Sequence, residues 1–298
     1  MKAFEMIEPR TREEACQWLD RFKGKARPYA GGTDLLVELK TGRVKLEALV
    51  NLKRIKGLDK IRFSGKEGLV IGALATWTQL LESEAVSAHY PLLRKASASM
   101  GSTQIRNVAT LAGNICHASP AANGPIPLLL YEAVCLVQGM KGERIIPVGK
   151  LFAGVQKNIL KHDEIVTEIR LPRPPAGAQG AFYKFAQRKA MELPMVAVGT
   201  LCWTLDGVWT EVRLALGAVA QKPFRAQKAE KFLMKKRIDE KTLRRAAEVA
   251  AGECAPITDL RASKEYRLEL VKELVFRALK ECLPGTLPTP DRGAGGTS

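Results

Sequence analysis

The sequence predicts a mixed α+β fold, with two α/β units over residues 1–175 and an α+β C-terminal region built on an antiparallel sheet. Three observations carry this expectation. The N-terminal stretch alternates short apolar runs with amphipathic ones, the pattern of strands interleaved with helices. A proline- and glycine-rich run, LPRPPAGAQGA from Leu171 to Ala181, breaks the chain where a domain boundary belongs. Beyond it, MVAVGTLCWTLDGVWTEVRLALGAV places two long apolar runs around Asp206 and Gly207, a strong hairpin signal.

The elements follow in order. FEMIEP reads as a short strand, and Thr11 with Glu14 has the spacing of a capping box, opening a helix to about Arg21. Arg27 to Ala30 reads as a strand, after which Gly31 and Gly32 turn the chain into the helix DLLVELK. ALVNL is a further strand, closing a first subdomain at residues 1–55. A second subdomain, 56–175, begins with short apolar runs separated by turns, and Thr76 is placed to cap the helix WTQLLE. Met100 to Pro125 is polar and glycine-containing and reads as the irregular, functional part. YEAVCLVQG and GERIIPV look like paired strands. The C-terminal domain is set at 176–285, with helical patterns after the hairpin to about Cys282, and the tail 286–298, ending DRGAGGTS, is expected to be disordered.

Composition narrows the class. With 298 residues, 46% apolar and 26% charged, the chain has the make-up of a soluble globular protein. No apolar run approaches the roughly 18 residues a membrane span requires. The first residues lack the basic-then-apolar pattern of a targeting peptide, so a cytoplasmic location is expected. The six cysteines, at 16, 116, 135, 202, 254 and 282, have no paired short spacing for zinc or an iron–sulfur cluster, so no metal is expected. A formal charge of +16 raises the question of nucleic acid. The densest basic cluster, Lys231, Lys235, Lys236, Arg237, Lys241, Arg244 and Arg245, has no interleaved aromatics and reads as a solvated helical face or a docking surface for an acidic partner.

There is no GxGxxG and no GxxxxGK[ST], yet two other loops are suited to phosphates. In YAGGTDLL, Tyr29 to Leu36, a strand ends, two glycines allow close approach and a helix begins. Backbone N–H groups aimed by a helix start form an anion site there, while an ordinary turn capped by Thr33 or Asp34 is the alternative. In TLAGNICHASPAANGP, Thr110 to Pro125, Gly113 permits close approach and Thr110, Asn114 and Ser119 offer short hydrogen-bonding groups. Ser119-Pro120 reads as a helix start. Two such loops suit a diphosphate. His117 lies in the second loop, either touching a ligand or satisfied as an ordinary loop histidine, and Trp18 and Trp77 read as core residues.

Together, AGGTDLL and QIRNVATLAGNICHASPAANGP closely resemble the two FAD-binding motifs of the molybdopterin dehydrogenase flavoprotein family. That family includes the medium subunit of carbon monoxide dehydrogenase and the flavin subunit or domain of xanthine dehydrogenase. IGALATWTQL and FAQRKAMELPMVAVG extend the resemblance in order along nearly the whole chain. It implies a two-subdomain FAD-binding region, similar to that of the vanillyl-alcohol oxidases, followed by the C-terminal flavoprotein domain. It also implies FAD contacts from Tyr29, Ala30, Gly31, Gly32, Thr33, Asp34 and Leu35, and from Thr110, Ala112, Gly113, Asn114, Ser119 and Asn123. Family members commonly have aspartate where this chain has Asn123, and often where it has Glu192.

The implied partners are a small subunit with two-iron two-sulfur clusters and a large subunit with the molybdenum cofactor, in a dimer of heterotrimers. FAD would pass electrons to NAD or another acceptor, with no catalytic acid or base on this chain. Two alternatives remain: a stand-alone FAD oxidase of the vanillyl-alcohol type, and a basic scaffold or nucleic-acid-binding protein without cofactor. The former should bring a cap domain with catalytic tyrosine, histidine or arginine, and no such cluster is evident.

Overall fold

The computed structural model describes residues 3–188 and 191–283, so the tail expected at 286–298 lies outside the described residues. The chain falls into two compact units. One comprises residues 3–119 and 131–173, the other 120–130 and 174–283.

The first unit opens with β1 (Glu5–Ile7), α1 (Arg12–Phe22), β2 (Ala26–Tyr29), α2 (Leu35–Lys40) and β3 (Ala48–Asn51). The three strands are parallel in the order β1-β3-β2, which puts the fully buried Ala48, Leu49 and Val50 of β3 in the centre. Thr11 Oγ1 accepts the N–H of Glu14 at 3.1 Å, as its spacing predicts. The Glu14 carboxylate reaches one residue further back than in a standard box, accepting from the N–H of Arg10 at 2.8 Å. Ala15, Cys16 and Leu19, spaced along one face of α1, bury against Ile7, Ala26 and Val50.

A second sheet follows, from β4 (Ile61–Ser64), β5 (Gly68–Gly72), β6 (Val134–Gly139), β7 (Gly142–Pro147) and, after the small ribbon β8 (Phe152–Gly154) and β9 (Lys157–Asn158), β10 (Ile165–Leu171). Its order is β4-β5-β10-β6-β7 and every neighbour is antiparallel. Between β5 and β6 lie α3 (Trp77–Glu82), α4 (Glu84–His89), α5 (Pro91–Ala98), α6 (Thr103–Val108) and α7 (Leu111–His117). The stretch read as irregular therefore contains two short helices. Each has six or seven residues and a polar face, too short for periodicity to reveal; α7 buries Leu111, Ala112 and Ile115, while α6, with no fully buried residue, starts at a cap in which Ser102 Oγ accepts the N–H of Ile105 at 3.3 Å. Thr76 forms a full capping box on α3 with Gln79, and Trp77 behind it is completely buried, a core residue as read.

In the second unit β11 (Gln179–Phe185), β12 (Val196–Leu205), β13 (Val208–Gly217) and β14 (Phe224–Arg225) form one antiparallel sheet in that order. The β12–β13 hairpin turns at Asp206 and Gly207, with φ of 49° and 73°, the positive angles a two-residue turn of the primed type demands. One wall of this core is α8 (Pro125–Leu130), buried at all six residues. It approaches closely because Gly199 and Gly217 carry no side chain where Ile126 sits: a Cβ at Gly199 would lie 2.6 Å from Ile126 Cγ2. The predicted helix start at Ser119-Pro120 is therefore displaced. Ala118, at φ 53°, ends α7 in a left-handed cap, the chain turns through 119–124, and the next helix starts at Pro125. The rest of this unit's core comes from α9 (Gln227–Leu233), α10 (Glu240–Ala251) and α11 (Lys264–Glu281). Arg267 of α11 is buried with its charge met by Asp259 at 2.8 Å and by the carbonyl of Met195 at 2.6 Å. In the basic cluster, Arg244 and Arg245 pair with Glu240 and Glu248 on the exposed face of α10, as a solvated helix would. Among the described residues no helix is long and apolar enough to cross a membrane.

Candidate functional site

The two glycine-bearing loops meet in the first unit. Where β2 ends, Gly31 lies so close to the end of α6 that a Cβ there would overlap the carbonyl oxygen of Val108. Gly32 follows with φ of 72°, turning the chain over the ring of Tyr29 and into α2. Asp34 stands at the N-cap position of α2 but makes no side-chain capping hydrogen bond, so its carboxylate does not occupy the first turn of the helix. From the other side, Thr110 caps α7 by accepting the N–H of Gly113 at 3.0 Å. The link between α6 and α7 is fastened to the start of α3, where Trp77 N–H donates to the Ala109 carbonyl at 3.1 Å and Thr76 bridges Thr110.

A third segment completes the enclosure. The turn between β8 and β9 holds the C-terminal end of α7: Gln156 N–H donates to the Ala118 carbonyl at 3.0 Å and the Asn158 amide to the Cys116 carbonyl at 2.6 Å. These segments wall a cleft of about 710 Å³, within the size range of cofactor pockets. A second, more open cleft of about 830 Å³ shares Ala30 and Thr110 with the first and is lined by Lys53, Arg54, Lys56 and Lys60.

Ala30, Gly31, Gly32, Thr33, Asp34, Leu35, Thr110, Gly113 and Asn114 all line the first cleft. The other four predicted contacts do not. Tyr29 has its ring under Gly32, with the Lys53 ammonium 4.9 Å from its centre, and Ala112 is buried inside α7. Ser119 follows the end of α7, and Asn123, buried, belongs to the second unit. The cleft also takes in residues that the sequence reading missed: Arg27, Glu38, Met100, and Gln156 to Glu164 in part. Nothing in the local sequence of the β8–β9 turn marks it, because its contribution depends on a contact with α7 some 40 positions earlier.

Two of the cleft's carboxylates, Glu38 and Glu164, are paired with arginines. Arg27 meets Glu38 at 3.3 Å. Burial pushes the Glu164 carboxyl up, but two hydrogen bonds from Arg144, both at 2.8 Å, and one from the Lys161 N–H outweigh it and hold the group below the usual carboxylate range. Burial raises the Cys116 thiol to about 12, so it stays protonated and unreactive at neutral pH. His117, in the last turn of α7, has Nε2 3.9 Å from Asp34 and Nδ1 3.8 Å from Glu38, with the Gln156 amide 3.2 Å from Nε2.

An extended dinucleotide fits this arrangement. Both glycine loops open to the same cleft, each at a helix start, and the walls supply lysine and arginine. Residues 2–174 match the family described as the FAD binding domain in molybdopterin dehydrogenase, and residues 181–282 the CO dehydrogenase flavoprotein C-terminal domain. The xanthine dehydrogenase FAD-binding subunit of Escherichia coli O157:H7 is 33% identical over 87% of this chain and 89% of its own length. The nicotinate dehydrogenase FAD-subunit of Eubacterium barkeri is 31% identical over 94% and 95%. The carbon monoxide dehydrogenase structure from Hydrogenophaga pseudoflava superposes with a TM-score of 0.91 at 30% identity, covering 94% of this chain and 97% of the matched one.

Proposed function

This chain belongs to the FAD-binding flavoprotein family of the molybdopterin dehydrogenases, and from that premise we propose that it is the electron-exit subunit of a molybdenum hydroxylase complex. In this reading a large subunit oxidises the organic substrate at its molybdenum cofactor. A small subunit with two-iron two-sulfur clusters relays the electrons, and the assembly is a dimer of heterotrimers. FAD supplies the conversion between one-electron and two-electron transfer, delivering to NAD or another acceptor. The observation that carries the reading is the single cleft into which both glycine loops open.

The residues of this chain bind and orient. Gly31 and Gly32 let the backbone come close to a diphosphate, Thr33 and Leu35 present N–H groups at the start of α2, Gly113 leaves room beside α7, and Asn114 offers a short polar side chain. Thr110 fixes the start of α7, and Tyr29, Ala30, Asp34 and Ala112 complete the two loops. By resemblance, Ser119 and Asn123 would lie close to the cofactor. The two sheets of the first unit correspond in this reading to the subdomains 1–55 and 56–175, with 176–285 as the C-terminal domain.

Reduction of the bound flavin tests the assignment. The purified chain should carry flavin absorption that is bleached by NADH or an artificial donor, and by the organic substrate only when the two partner subunits are present. Bleaching of the single chain by the substrate would overturn the subunit reading in favour of a stand-alone oxidase.

A further inference from the structure

The segment from Lys53 to Lys60 carries Lys53, Arg54, Lys56 and Lys60, and all four cations line the second cleft of the first unit. Asp59 is the only carboxylate among the lining residues, so positive charge exceeds negative by three. Neighbouring groups remove little of this excess. Arg54 meets Glu8 at 3.4 Å, an ion pair exposed on both sides, and Lys53 stands 4.9 Å from the centre of the Tyr29 ring, a contact that leaves its charge unneutralised. Among the described residues, exposed Lys56 and Lys60 have no carboxylate within 4 Å.

The backbone that carries these cations is pinned. Asn51 Oδ1 accepts the N–H of Lys53 at 3.2 Å, and the carbonyls of Leu58 and Lys60 accept from Leu74 at 2.7 Å and Gly72 at 2.8 Å. Like charges held this close repel one another in the free chain, and a bound polyanion relieves that repulsion. The rest of the lining suits the remainder of a nucleotide. Ala30, Leu74 and Val108 are apolar, with Val108 left 46% exposed. Gln79 Oε1 is taken by the N–H of Thr76 at 2.8 Å and Asn107 Oδ1 by the Thr78 hydroxyl at 2.6 Å, so the N–H2 donors of both amides stay uncommitted. A cleft of about 830 Å³ has room for a mononucleotide or a dinucleotide.

We propose that this cleft is a nucleotide site separate from the cofactor cleft, its cations binding a diphosphate and its apolar residues a base. The proposal goes beyond the FAD reading, to a second ligand. Ala30 and Thr110 line both clefts, so the two ligands would lie on opposite sides of the same loops. Two sources carry the required group: a pyridine dinucleotide that exchanges electrons with the flavin, and a free adenine nucleotide that does not.

Titration calorimetry of ADP into the FAD-loaded full chain tests this. ADP should bind one site per chain, more tightly at low salt than at high, and inorganic pyrophosphate should bind more weakly than ADP. K56E/K60E should lower ADP affinity by about tenfold or more, the scale of a lost charge-assisted hydrogen bond, with FAD content and thermal melt unchanged, and K56Q/K60Q should fall between. K231E/K241E makes the same change of net charge on α9 and α10 and should bind ADP as wild type does. With ADP affinity lost in K56E/K60E, a parallel loss in the rate of flavin bleaching by NADH identifies the dinucleotide as the source, and an unchanged rate identifies the free nucleotide. Three results would overturn the proposal and leave the FAD reading standing: ADP that does not bind the FAD-loaded chain, whether or not it binds the flavin-free one; equal ADP affinity in wild type and K56E/K60E; or pyrophosphate bound as tightly as ADP. A chain that takes up no FAD would overturn the FAD reading instead, and the same titrations on it would still decide this site.

Discussion

In the loop after β2, Gly31 is pressed against the Val108 carbonyl and Gly32 turns at φ 72°, whereas Gly113 lies in the first turn of α7 with no left-handed angle and meets only Thr110 Oγ1, 2.9 Å from where its Cβ would be. The sequence presents both as glycine loops. In the first, the folded backbone requires glycine whether or not a cofactor is present. In the second, the only close atom is the end of the Thr110 side chain, so a small side chain at Gly113 would be felt chiefly at the cap and in the cleft it lines. Stability and cofactor affinity should consequently move together in one loop and separate in the other.

The largest effect is expected at Gly31. A valine there forces its Cβ into backbone atoms of Val108 and Ala109, which cannot rotate away, so Gly31→Val should destabilise the flavin-free chain by about 3 kcal/mol or more and abolish FAD retention. Gly32→Val should follow, at roughly 1–2 kcal/mol for the left-handed backbone plus displacement of the Tyr29 ring. Urea denaturation of the flavin-free proteins checks both. If either variant lost FAD at undiminished stability, the first loop would resemble the second and the contrast would fail.

Much of this architecture was legible in the sequence for local reasons. Thr11 and Thr76 act as the caps that their spacing announces, Asp206 and Gly207 make the turn their types demand, and VCLVQG (Val134–Gly139) pairs with GERIIP (Gly142–Pro147) across the two residues between them. Nine of the thirteen predicted contact residues line one cleft because each loop is continuous in sequence. What stayed hidden depends on distant partners. The β8–β9 turn joins the site only through bonds to Cys116 and Ala118. Likewise Pro125–Leu130 looks like the sequel of the second loop, yet it packs with the other unit because Gly199 and Gly217 leave space for Ile126. Neither fact has a local pattern to announce it.

A middle-sized effect sharpens the comparison from the side of the helix. Thr110 Oγ1 satisfies the Gly113 N–H, so Thr110→Ala should lower stability by about 1 kcal/mol and Thr110→Ser should restore most of it. FAD affinity should track the cap in this pair, since the loop's shape depends on it. An alanine variant with full affinity would show that α7 starts correctly without the hydroxyl.

The smallest stability change and the clearest separation belong to Gly113→Ala. Inside a helix, alanine is favoured over glycine by up to about 1 kcal/mol, while crowding of Thr110 Oγ1 opposes that gain, so the flavin-free chain should unfold within about 1 kcal/mol of wild type. The added methyl, however, projects from a glycine that lines the cleft, where backbone and cofactor would otherwise touch. FAD binding should weaken by about tenfold or more, corresponding to roughly 1.4 kcal/mol lost only in the bound state. Fluorescence titration with FAD, alongside a thermal melt of the flavin-free protein, reads the two quantities separately. Unchanged affinity would mean that the cofactor does not reach Gly113 and that α7 contributes through Thr110 and Asn114 alone; loss of both stability and affinity would mean that the second loop, like the first, needs its glycine to fold.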